Sequence, residues 1–254
     1  MWLLCLAAFF AGFVDSIAGG GGLIQLPALF VFLPQSIAAQ VPQVMGINKL
    51  SSICGTTVAT VQYARKVDLN WALLKPMMLG AFVFSYLGAM TVSLINPRLI
   101  KPVILVLLVV VAVYTYTRKR TTPTRTLNVP DRYRSLIALG VGSAIGFYDG
   151  FFGPGTGTFL LIAFVGLFAL DFLQASAHAK AINLTTNIAA VTRFASQGEI
   201  QYHYAVPMAL ANIAGSFIGS HMAILKGSEF VRKFFLVVVL VLIARFAYEM
   251  AFMK

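Results

Sequence analysis

Gly12-Phe13-Val14-Asp15-Ser16-Ile17-Ala18-Gly19-Gly20-Gly21-Gly22 places a carboxylate and a run of glycines inside an otherwise apolar N-terminal stretch. Lipid cannot satisfy the N–H and C=O groups of a broken helix. Irregular backbone at membrane depth therefore persists only where it packs inside protein or lines an aqueous cavity. The pattern returns. Gly146-Phe147-Tyr148-Asp149 stands 134 positions after Gly12-Phe13-Val14-Asp15, and Gly153 and Gly155 stand at the same distance from Gly19 and Gly21.

The surroundings of this motif are those of a membrane protein. Only 11% of the 254 residues are Asp, Glu, Lys or Arg, against about 25% in soluble domains. Apolar residues reach 59%, more than a chain of this length can bury in a water-facing core. The net charge of +11 would suggest nucleic acid in a soluble protein, but here the basic residues lie between apolar runs, where the positive-inside rule explains them. Cys5 and Cys54 both sit in apolar segments, which excludes a disulfide framework and a zinc site. Nothing basic precedes the run from Trp2, so no signal peptide is expected.

Hydropathy and helical periodicity predict ten segments, near 2–17, 22–33, 42–64, 71–95, 99–117, 135–148, 157–170, 174–195, 203–225 and 230–252. The first pair and the sixth and seventh are short. Each of these two pairs is joined by a glycine-rich break, Gly19 to Gly22 or Gly153-Pro154-Gly155-Thr156-Gly157. Both pairs read as re-entrant hairpins or broken helices. Beyond the glycines the repeat continues at an offset of 131, matching Lys49 with Lys180, Pro76 with Pro207 and Ser85 with Ser216. A duplication follows, with residues 1–117 as the first membrane repeat, 118–134 as a basic linker and 135–254 as the second repeat. Five segments per half is an odd number, so the halves enter the membrane from opposite sides, as in many secondary transporters. The expected fold is an all-α integral membrane protein, an inverted-repeat helical bundle. Arg118, Lys119, Arg120, Arg125, Arg132 and Arg134 put the linker on the cytoplasmic side.

Several polar residues in the apolar runs are candidates for chemistry. The helix that follows each glycine break offers free N–H donors and about half a positive charge, which suits an anion. Gly19, Gly20, Gly21, Gly22, Gly153, Gly155 and Gly157 let a ligand approach the backbone. Asp15 and Asp149 end the helices before the breaks. They read as coupling carboxylates, as counter-charges for lysines, or as structural caps for the turns. Lys49 and Lys180 either snorkel to the interface or hold the anion. Asn48 and Ser52 share a polar stripe with Lys49, and Asn183 and Asn187 with Lys180. His178, close to Lys180, is either a titrating partner or simply hydrogen-bonded. Gly80, Gly88, Gly215 and Gly219 read as close-packing positions.

The stretch from Gly12 to Ile24, with Pro27 and Asn48-Lys49-Leu50, resembles the first-half signature of the sulfite exporter TauE/SafE family. Gly146 to Gly155, Ala177-His178-Ala179-Lys180, Asn183 and Asn187 resemble its second half. The resemblance covers almost the whole chain. It implies a secondary transporter that exports small sulfur-containing oxyanions, sulfite or an organosulfonate such as sulfoacetate, across the bacterial inner membrane. Uptake of related organic anions is the alternative, ahead of a membrane-embedded sulfur enzyme or a non-transporting subunit. Expected partners are the anion and membrane lipid, with a homo-oligomer left open and no nucleic acid. No metal or other cofactor is called for, and the chain is not expected to be an enzyme.

Overall fold

The computed structural model describes residues 1–92 and 131–252, and all regular structure among them is helical. In chain order these are α1 (Trp2–Ala18), α2 (Gly22–Phe32), α3 (Gln35–Ala38), α4 (Val41–Ala64), α5 (Trp71–Val92), α6 (Asp131–Phe151), α7 (Thr156–Phe168), α8 (Phe172–Ser196) and α9 (Tyr202–Phe252). The expected segment 99–117 and most of the linker lie outside the described residues.

Two differences from the sequence expectation, the length of α6 and the presence of α3, stand out. α6 is not short: it opens at Asp131 and runs for 21 residues, because Arg134 and Asp149, the charges on either side of the apolar run 135–148, lie within the helix. A methyl group on Gly146 would stand 2.6 Å from Ala81 Cα, and one on Gly150 would overlap the Ser85 carbonyl of α5. These glycines are there to bring two helices together. Segments 203–225 and 230–252 follow one another within α9 and remain two helices as expected, parted where Gly227 takes a non-helical φ 72°, ψ −168°. The four-residue α3 carries the chain from α2 to Pro42, which sits in the first turn of α4.

α2 and α7, with 11 and 13 residues, reach only about 17–20 Å against a hydrocarbon core of about 30 Å. By contrast, Trp71–Val92 and Tyr202–Phe234 are each long and apolar enough to cross a membrane. Their outer faces present Leu79, Leu87, Leu210 and Phe217, all exposed.

Helix pairing is reciprocal. α6 lies along α5 and α1 lies along α9, while α4 and α8 cross in the middle. Both long contacts are made backbone to backbone. Gly80 faces the Leu139 carbonyl and Gly88 the Phe147 carbonyl, while Gly215 and Gly219 abut the carbonyls of Phe9 and Phe13. The close-packing reading of those four glycines therefore holds. Ser85 Oγ donates to Thr186 O at 2.9 Å across the α5–α8 contact. Tyr63 OH and Ser176 Oγ donate to the carbonyls of Ser16 and Ile17 at 2.8 and 2.5 Å. Carbonyls left over at the end of α1 are thus satisfied by side chains, as a helix that stops inside apolar surroundings requires.

A matched pair of variants tests this packing. Gly146→Ala should lower stability by about 1–3 kcal/mol, the usual cost of overfilling a packed contact. Gly140→Ala, two turns earlier on the same helix and with nothing within 4 Å of the added methyl, should leave the melting temperature in detergent unchanged.

Candidate functional site

The two glycine breaks meet. Gly19 has φ 78° and Gly157 lies directly against it: a methyl on Gly157 would stand 2.7 Å from Gly19 Cα. Gly22 in turn sits against Pro154. The first turns of α2 and α7 are thereby brought to a common polar cavity. Its space for the centres of water molecules is about 40 Å³, room for roughly three waters at 10–15 Å³ each.

Asp15, in the last turn of α1, accepts from Lys180 Nζ of α8 at 2.7 Å. Its other oxygen accepts from the Gly21 N–H at 3.3 Å. One carboxylate is therefore both the counter-charge of a lysine and a cap for the glycine break. Asp149, in the last turn of α6, accepts from Lys49 Nζ of α4 at 2.6 Å. Gly153, at φ 90°, leaves room for this pair, since a methyl there would stand 3.2 Å from Nζ and 3.3 Å from Asp149 Oδ1. Neither lysine snorkels: Lys49 is 3% exposed and Lys180 1%. Each ion pair joins residues far apart in the chain, by 100 and 165 positions.

Most of the candidates from sequence come together here. Gly20, Gly21, Gly22, Gly153, Gly155 and Gly157 all line the cavity. So do Asn48, Lys49 and Ser52 from α4 and Asn183 and Asn187 from α8, together with both carboxylates. Asn187 Nδ2 lies 3.4 Å from Thr56 Oγ1, bridging α8 to α4. Lys180 and Gly19 touch cavity residues from behind. His178 stands elsewhere. Its Nε2 accepts from the Asn70 N–H at 2.9 Å and its Nδ1 lies 2.7 Å from Gln174 O, so the ring bridges α8 to the start of α5. His178→Leu should lower the melting temperature through the lost bonds, about 1–3 kcal/mol. It should keep anion affinity within about twofold, because the cavity is not touched.

Two buried amides of the wall escaped the sequence reading. Gln25 of α2 and Asn212 of α9 are both buried and line the cavity. Asn212 Nδ2 donates to Gln25 Oε1 at 3.1 Å and to Ala8 O at 3.0 Å, and Gln25 Nε2 lies 3.4 Å from Asn48 O. Their signal was a single amide in an otherwise apolar run.

Electrostatically the four charged side chains cancel. The N-terminal ends of α2 and α7 add about half a positive charge each, and the C-terminal ends of α1 and α6, where Asp15 and Asp149 sit, add the opposite sign. A paired, hydrogen-bonded charge in a low-dielectric site is tolerated where a lone one is not. The cavity can therefore stand empty of ligand without an unpaired ion, and the first-turn N–H groups of α2 and α7 are what its backbone offers an anion.

A sequence model of the sulfite exporter TauE/SafE family matches residues 4–246. The chain belongs to the TauE/SafE family. It is 33% identical over 253 residues to a probable membrane transporter protein, ORF9, of a Sinorhizobium species, a match covering 95% of this chain and 90% of the relative. It is 31% identical over 252 residues to the probable membrane transporter protein YfcA of Escherichia coli strain K12, covering 97% and 89%. A probable membrane transporter protein of Haemophilus influenzae shows the same identity over 97% of this chain and 94% of its own. No solved structure matches the chain significantly. Like its TauE/SafE relatives, the protein is a membrane transporter and not an enzyme.

Proposed function

We propose that this TauE/SafE transporter exports a small oxyanion, sulfite or a small organosulfonate, across the bacterial inner membrane. The anion binds in the cavity between the two glycine breaks. The observation that carries this reading is the pair of buried lysines, each held by a carboxylate from a distant part of the chain, beside two helix N-terminal ends. The cavity volume favours sulfite, which has few heavy atoms, over sulfoacetate, for which the walls must move apart. Gly20 to Gly22, Gly153, Gly155 and Gly157 supply close backbone approach. Asn48, Ser52, Asn183 and Asn187 supply polar contacts. Lys49 and Lys180 supply charge that becomes available when Asp149 or Asp15 gives up its partner.

Residues 1–117 and 135–254 act as inverted repeats joined by a cytoplasmic linker, 118–134. The reciprocal packing of α1 on α9 and of α6 on α5 supports this arrangement, because each half lays its first helix against the other half's last described one. An inside-negative potential drives an anion outward, by about 2.3 kcal/mol per charge per 100 mV, so export needs no second energy source.

The test is efflux of labelled sulfite from proteoliposomes, with thermal stabilisation of the purified protein by sulfite, sulfate, thiosulfate, sulfoacetate, taurine and acetate alongside. Stabilisation by sulfite with potential-driven efflux is the expected result. A protein stabilised by none of these anions would refute the reading.

A further inference from the structure

We propose that the anion this cavity takes carries a hydrogen-bond donor of its own: a monovalent acid anion such as hydrogen sulfite, or a hydroxyl-bearing sulfonate, in preference to a bare oxyanion. The inference rests on the reading of the cavity as an anion site and narrows the class of anion. Asn48 of α4 and Asn183 of α8 line the cavity from opposite helices and are 4% and 6% exposed. The side-chain oxygen of each is buried and has no hydrogen-bond partner among the described residues. Buried acceptors are almost always satisfied in folded proteins, and one left open at a ligand cavity marks where a ligand donor goes.

The ammonium groups and the Asn212 amide at the cavity are already committed. Lys49 donates to Asp149, Lys180 to Asp15, and the Asn212 amide to Gln25 and Ala8. A metal cation would also satisfy two amide oxygens, but the charges oppose it. Both carboxylates at the cavity are neutralised by ammonium groups, and two helix N-terminal ends add positive potential. An anion with one O–H meets both demands: its unprotonated oxygens face the backbone donors and its O–H faces an asparagine oxygen. A bare oxyanion has no proton to offer the side-chain oxygen of Asn48 or Asn183.

Hydroxymethanesulfonate and ethanesulfonate separate the donor from everything else. They have the same single charge and nearly the same shape, and differ by a hydroxyl in place of a methyl. Affinities of the purified full chain in detergent, read by thermal stabilisation with sulfite as the reference ligand, should favour hydroxymethanesulfonate by at least about tenfold, a cautious figure for one hydrogen bond to a buried acceptor. In Asn48→Ala and Asn183→Ala the preference should shrink at whichever asparagine receives the hydroxyl. Equal affinities of the wild-type protein for the two sulfonates would overturn the proposal while leaving the anion site standing. If sulfite binds and neither sulfonate does, sulfite affinity should rise as the pH falls and hydrogen sulfite replaces the dianion; an affinity unchanged or lower at the lower pH would overturn the proposal. Failure of sulfite and both sulfonates to bind would instead remove the anion site itself, and this inference with it. The wild-type comparison stands even if an asparagine variant does not fold.

Discussion

Lys49→Met should nearly abolish transport and also destabilise the protein. Lys49 and Asp149 have side chains 3% and 6% exposed and are 2.6 Å apart, so removing the ammonium leaves a carboxylate buried without a partner. The usual cost is about 3–5 kcal/mol, a large share of the stability of a domain. Removing both charges should behave differently. Lys49→Met with Asp149→Leu replaces the pair by apolar groups of similar size, which is often neutral or stabilising. The double variant should therefore recover most of the melting temperature and none of the flux. The cycle of single and double variants, measured for stability and for sulfite efflux, separates the two roles of the pair. Wild-type flux in the double variant would show that the pair is only structural. The second pair makes a quantitative contrast. Asp15 is 25% exposed where Asp149 is 6%, so water can reach the carboxylate left behind, and Lys180→Met should destabilise less than Lys49→Met.

Gly19→Ala is expected to be nearly as damaging, for reasons of space and backbone conformation. At φ 78°, ψ 172° the residue occupies a region that is essentially closed to side chains, a strain on the order of 1–3 kcal/mol. The added methyl would also fall on the backbone of Gly157, and forcing the two breaks apart costs about 1–3 kcal/mol more. Transport should fall by at least about tenfold, with a lower melting temperature. Gly20→Ala is the control. Its φ of 97° carries strain as well, but the nearest atom to the new methyl is the flexible end of Leu23 at 3.4 Å. The loss there should be clearly smaller, and equal effects of the two variants would contradict the close approach of the turns as the cause.

Much of this site could be read from the chain because it is written twice. The recurrence of Asp15 as Asp149, of the glycine breaks and of Lys49 as Lys180 marked these residues before any coordinates. Spacing could not say which lysine meets which carboxylate, because both partners are supplied by tertiary packing over 100 and 165 residues. Recurrence also hides whatever occurs once. Gln25 has Phe159 at its repeat position and Asn212 has Ala81, so neither amide could be found by symmetry. His178 was drawn in by its closeness to Lys180 in sequence. Two residues along a helix turn the side chain by about 200°, which points the ring towards Asn70 and away from the cavity. The length of α6 was missed because Arg134 and Asp149 close its apolar run in the sequence, whereas the helix carries both charges inside it, from Asp131 to Phe151.

The two crossed ion pairs bear on how the protein is made. Each of these pairs joins a residue before the linker to one after it, so a nascent chain carries Asp15 and Lys49 into the membrane long before Lys180 and Asp149 exist. At about 5–20 residues per second, Lys49 waits about 5–20 s for its partner 100 residues downstream, and Asp15 about 8–33 s for one 165 residues downstream. During that interval both charges must stay near water or lean on each other, and the helices that carry them cannot settle at their final depth. The charge pairing of the early helices is thus completed only when α6 and α8 have been made.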